Sequence, residues 1–84
     1  MSHPVTKMPP DKNGYQYESY RGFNFHLFAW EKGGEGYSRG EWGANVYSPE
    51  NIYPIAYGFS PEKDEDAMRD VVTEFIDKIV RQAS

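Results

Sequence analysis

The chain contains no cysteine, so neither a disulfide staple nor a thiolate metal site can form. Its two histidines, His3 and His26, cannot build a structural zinc site with no thiolate to join them. No metal and no cofactor is expected. Long apolar runs are missing too: none approaches the roughly 18 residues that a membrane span needs. The N-terminal stretch lacks the apolar core of a signal peptide, which predicts a cytoplasmic protein without a membrane partner. Basic residues are few, nine Lys and Arg against thirteen Asp and Glu, for a net charge of −4. Residues 1–47 balance to zero, so the excess acid lies wholly in the C-terminal part. Duplex binders draw most of their non-specific affinity from neutralising phosphates, and no basic stripe is present to do so. Nucleic acid is a disfavoured partner on this ground.

What the chain does have is aromatic bulk: seven Tyr, five Phe and two Trp in 84 residues. That length is one domain, and a chain so short buries only about 60% of its unfolded surface, so large side chains must supply the core. Residues 1–14, with Pro4, Pro9, Pro10 and a closing Asn13-Gly14, read as a flexible N-terminal tail. Residues 15–84 then form a single α+β domain. Tyr15 to Tyr20 reads as a short strand and Arg21-Gly22 as a tight turn. Phe23 to Trp30 has a period of two: Phe23, Phe25, Leu27 and Ala29 are apolar, while Asn24, His26, Phe28 and Trp30 form a mixed face. The first set predicts core and the second an open or partly covered surface.

Gly33-Gly34-Glu35-Gly36 reads as a hairpin connection, because a phosphate cradle needs a following helix and this loop holds an acid and precedes a strand. Arg39 to Tyr47 is the next strand, Ser48 to Asn51 a turn, and Ile52 to Phe59 a last strand. Pro54 cannot donate to a ladder and puts that strand at a sheet edge. Ser60 and Pro61 predict the start of a helix, as N-cap and first helical residue. Met68, Val71, Val72, Phe75, Ile76, Ile79, Val80 and Ala83 recur at spacings of three and four, one apolar stripe. The expected fold is therefore an antiparallel β-meander of three or four strands with one C-terminal α-helix packed on one face.

No catalytic constellation is visible. His26 could meet Glu41 or Ser38 across the next strand, but a lone histidine on the outer face of a sheet is more often solvated or stacked. A non-enzymatic protein is expected. The stronger signal is the mixed face, where Tyr20, His26, Phe28, Trp30 and Tyr47 form a candidate interaction surface. Large exposed aromatics mark protein interfaces, self-association as a homodimer included. They also stack bases in single-strand binding modules, an alternative weakened here because only Arg21, Lys32 and Arg39 lie near them. A third reading folds the tail over this face through Val5 and Met8. Asp66, Asp70, Glu74 and Asp77 could mimic phosphates, although the interspersed Arg69, Lys78 and Arg81 favour an ordinary solvated helix face.

Tyr17-x-x-Tyr20-Arg21-Gly22-Phe23, Trp42-x-Ala44-x-Val46 and the capped amphipathic helix together resemble small uncharacterised orphan proteins of bacteria and their prophages. The resemblance spans Tyr17 to about Val80 and implies a binding or accessory factor, with no functional residue carried over. The order of three strands then a helix is also similar to double-stranded RNA-binding and plant AP2-type DNA-binding domains. Those present basic residues to nucleic acid, whereas the helix here is acidic.

Overall fold

A computed structural model describes residues 5–48 and 53–83. Four strands, β1 (Thr6–Lys7), β2 (Tyr17–Tyr20), β3 (Phe23–Ala29) and β4 (Trp42–Tyr47), form one antiparallel sheet in the order β1-β2-β3-β4. A single helix, α1 (Glu65–Ala83), packs across one face. The fold is α+β, as the hydrophobic periods require.

Register follows from the β2–β3 turn. Arg21 and Gly22 both have positive φ, 53° and 86°, the backbone of a two-residue turn whose twist matches that of the flanking strands. Tyr20 is thereby set opposite Phe23, Glu18 opposite Phe25 and Tyr17 opposite His26. Across β4, Phe25 faces Val46, His26 faces Asn45 and Phe28 faces Gly43. Because side chains alternate, Phe25, Ala44 and Val46 share one face and are buried against Met68, Val72 and Ile76 of α1. Phe59 meets Phe75 edge to face, with centroids 5.4 Å apart, and widens this core.

Several boundaries differ from expectation. Part of the segment read as tail supplies β1, which pairs Thr6 with Ser19 and Lys7 with Glu18. The expected strand from Ile52 to Phe59 is not formed among the described residues, and Ile52 with most of the 48–51 turn lies outside them. Instead the chain touches the edge of β4 at two isolated bridges, Val46 with Ala56 and Trp42 with Glu62. Pro54 has no N–H to donate, and Gly58 at a φ of 74° turns the backbone out of an extended path. The β4 strand likewise begins at Trp42 rather than Arg39, after Gly40 at a φ of 86°.

The helix starts at Glu65, later than Ser60-Pro61 suggested. Glu62 is held in backbone hydrogen bonds with Trp42 in both directions, so it cannot join a helix. Asp64 caps α1 instead, its Oδ1 accepting from the Ala67 N–H at 2.8 Å.

One helical residue reverses its expected role. Arg69, read as part of a solvated face, is buried and donates to both carboxylate oxygens of Glu18, Nε to Oε1 at 2.7 Å and Nη2 to Oε2 at 3.0 Å. Glu65 and Asp66 accept from the same guanidinium at 2.7 and 2.5 Å. The hydrogen bonds that Arg69 donates to Glu18 outweigh the opposing effect of burial and raise the affinity of Arg69 for its proton. This cluster ties β2 to the first turns of α1.

Candidate functional site

The face opposite α1 carries a continuous series of rings. Tyr17 and Tyr47 meet edge to face at 5.8 Å, and Tyr17 lies 5.7 Å from His26. His26 lies 6.0 Å from Phe28, and Phe28 meets Trp30 edge to face at 5.2 Å. Trp30 stacks on Tyr37 with centroids 4.5 Å apart and planes 22° from parallel. Tyr15, half exposed, adds a ring 5.0 Å from His26. No element among the described residues is laid across this face.

Two glycines make room for the series. A Cβ on Gly43 would stand 2.6 Å from the end of the Trp30 ring and 3.0 Å from that of Phe28, so both rings lie over a bare stretch of β4. A Cβ on Gly34 would stand 2.4 Å from the Tyr37 hydroxyl. Gly34 and Tyr37 form a bridge within the 31–41 connection, and this fold-back delivers Tyr37 onto Trp30.

Of the five residues singled out from sequence, His26, Phe28, Trp30 and Tyr47 share this face. Tyr20 does not. It lies opposite Phe23 on the helix side, where its hydroxyl donates to Asp77 Oδ1 at 2.9 Å. Burial, then that hydrogen bond, raises its phenol pKa. Arg21, expected beside the aromatics, also turns to the helix and pairs with Asp77 at 2.8 Å. Asp66 and Asp77, two of the four acids on the helix face, are thus engaged within the chain. Val5 packs against the helix-side core, away from the ring series, and Met8 donates its backbone N–H to the Tyr17 carbonyl at the edge of β2.

Tyr15, Tyr17, Tyr37 and Asn45 were missed. The signal lay in the turn: with Arg21-Gly22 as a two-residue connection, Tyr20 must share the parity of Phe23 and Tyr17 that of His26. His26 has Tyr17 and Asn45 as cross-strand neighbours, whereas Glu41 precedes β4 by one residue and its Oε1 accepts from the Ser38 N–H at 2.6 Å. The pairing of His26 with Glu41 or Ser38 is therefore replaced by ring contacts.

Two hollows among the described residues bear on this face and its opposite. The larger, about 830 Å³, lies on the helix side among Tyr20, Arg21, Glu74, Asp77, Lys78 and Arg81, where Asp77 already accepts from Tyr20 and Arg21. The smaller, about 370 Å³, is lined by Tyr15, Tyr17, His26, Phe28, Asn45 and Tyr47. It coincides with the ring series. Among the described residues no three His, Asp or Glu side chains gather as metal ligands, and no helix is long and apolar enough to cross a membrane.

Burial lowers the His26 pKa from its ordinary 6.5, against a smaller opposing pull from Asp11. The imidazole is accordingly neutral at pH 7. Burial, followed by Tyr47 and Asp11, raises that of Tyr17, which keeps its phenolic proton. Below pH 6.5 the unfolded chain takes up a proton that the folded ring resists, so His26 makes stability fall with pH until the folded ring is itself protonated. An NMR titration is expected to place the His26 midpoint below 6.5, and His26→Gln should flatten the stability profile in that window.

No family model, curated protein or solved structure matches this chain.

Proposed function

We propose that this is a small, non-enzymatic protein-interaction module that works in the cytoplasm through the sheet face opposite α1. The series of Tyr17, His26, Phe28, Trp30, Tyr37 and Tyr47, with no strand or helix among the described residues laid across it, carries this reading. Rings braced by one another are rigid before a partner arrives, and rigid Trp and Tyr side chains lose little conformational entropy on burial. The partner is another protein or a second copy of the chain. Single-stranded nucleic acid, the alternative, needs a cationic track beside the rings, and the engagement of Arg21 with Asp77 removes one of its three expected members.

Photo-crosslinking tests this reading. A benzophenone amino acid replaces Asn24, which stands beside Tyr47 on the ring face, or Glu74, which is exposed on α1. A discrete protein adduct or chain dimer is expected from position 24 and not from position 74. Adducts confined to position 74, or to nucleic acid, would refute it.

A further inference from the structure

The hollow at the Tyr47 end of the ring series has a composition more specific than an apolar patch. Of the described residues that line it, five are aromatic and one is the uncharged Asn45, with no lysine or arginine among them. Its volume, about 370 Å³, is near the low end for small-ligand sites, suited to one compact group. Neighbouring centroids are 5.0 to 6.0 Å apart, so one cation seated among the rings lies within about 6 Å of several of them.

Charge points the same way. Asp11 acts electrostatically on both Tyr17 and His26. Its carboxylate is fixed by accepting from the Asn13 and Tyr15 N–H groups at 2.8 and 3.0 Å, and Tyr15 lines the hollow. Lys7 pairs with Glu18, on the opposite parity, and Arg21 with Asp77, so those cations face the helix side. Ring quadrupoles and a nearby carboxylate make the hollow attractive to positive charge. Among the described residues no carboxylate lines it, however, so a primary ammonium would meet there no strong acceptor for its three N–H groups. A quaternary ammonium has no N–H to satisfy and is held by ring faces alone.

We infer that the hollow of Tyr15, Tyr17, His26, Phe28, Asn45 and Tyr47 is an aromatic cage for the trimethylammonium head of a methylated lysine on a protein partner. This rests on the face being a protein-binding surface, and it names the group that the face reads.

The test is an NMR titration of the whole chain with a short trimethyllysine peptide, its neutral tert-butyl isostere, the unmethylated peptide and choline. The trimethyllysine peptide is expected to shift signals of Tyr17, His26, Asn45 and Tyr47, with the isostere and the unmethylated peptide each at least about tenfold weaker. Asp11→Asn, which keeps an acceptor for the loop N–H groups, should weaken the peptide about threefold and leave the isostere unchanged. Tyr47→Leu should abolish the shifts, with α1 checked by circular dichroism. Equal binding of the isostere, absence of shifts at these residues, or choline binding tighter than the peptide would each overturn the cage. The crosslink from position 24 would still stand in that event, which separates failure of the cage from failure of the interaction face.

Discussion

Glu18→Ala is expected to destabilise the fold by about 3 kcal/mol, lowering Tm by roughly 15 °C. The carboxylate is buried between β2 and α1, with its side chain 6% exposed, and accepts two hydrogen bonds from the guanidinium of Arg69, a side chain that is 10% exposed. Removing it leaves a buried positive charge whose remaining partners, Glu65 and Asp66, are 45% and 88% exposed and cannot follow it inward. A domain of this size has roughly 4–13 kcal/mol of stability, so the loss is a large fraction of the total. The paired replacement Glu18→Leu with Arg69→Met removes both charges and should recover most of the loss, since apolar residues of similar volume substitute well for buried ion pairs. Urea denaturation of the two variants checks both statements. A Glu18→Ala change below about 1 kcal/mol would mean that the pair is solvated.

Trp30→Ala is expected to weaken partner association by at least about thirtyfold while leaving α1 and the helix-side core intact. Trp30 is the hinge of its end of the ring series, touching Phe28 edge to face and Tyr37 by stacking, and covering Gly43. Without it the Tyr37 ring loses its stacking partner and β4 is uncovered, so the binding surface loses both area and rigidity. The fold survives because Trp30 belongs to neither the buried cluster nor its packed surround.

The helix and the two long strands could be read from the chain because their periods are unambiguous: Met68, Val72 and Ile76 at spacings of four, Phe23, Phe25 and Leu27 at two. The edge of β4 could not. Pro54 and Gly58 reduce an aromatic alternation that looks like a strand to an isolated bridge, and a bridge leaves no periodic signature. Helix capping was misplaced for a tertiary reason, since Ser60-Pro61 is a sound local signal overridden by the pairing of Glu62 with Trp42. Arg69 shows the same limit. At helical spacing an arginine beside acids looks solvated, and only the arrival of Glu18 from a strand 51 positions away makes it interior. Of the five residues that strand parity points to, four, His26, Phe28, Trp30 and Tyr47, lie on the ring face. Tyr20 was misassigned because its parity depends on the length of the turn after it, and Tyr37 could be placed only by the fold-back at Gly34.

The central claim is that the ring face, and not the charge around it, binds the partner. The most direct measurement is the equilibrium affinity for the partner captured from position 24, in roughly 0.1 M and 1 M salt, with the wild-type chain and Trp30→Ala. The expected result is a wild-type affinity that changes less than about threefold with salt and falls at least about thirtyfold on Trp30→Ala. An affinity that collapses with salt, follows Lys32 and Arg39, and ignores Trp30→Ala would contradict it.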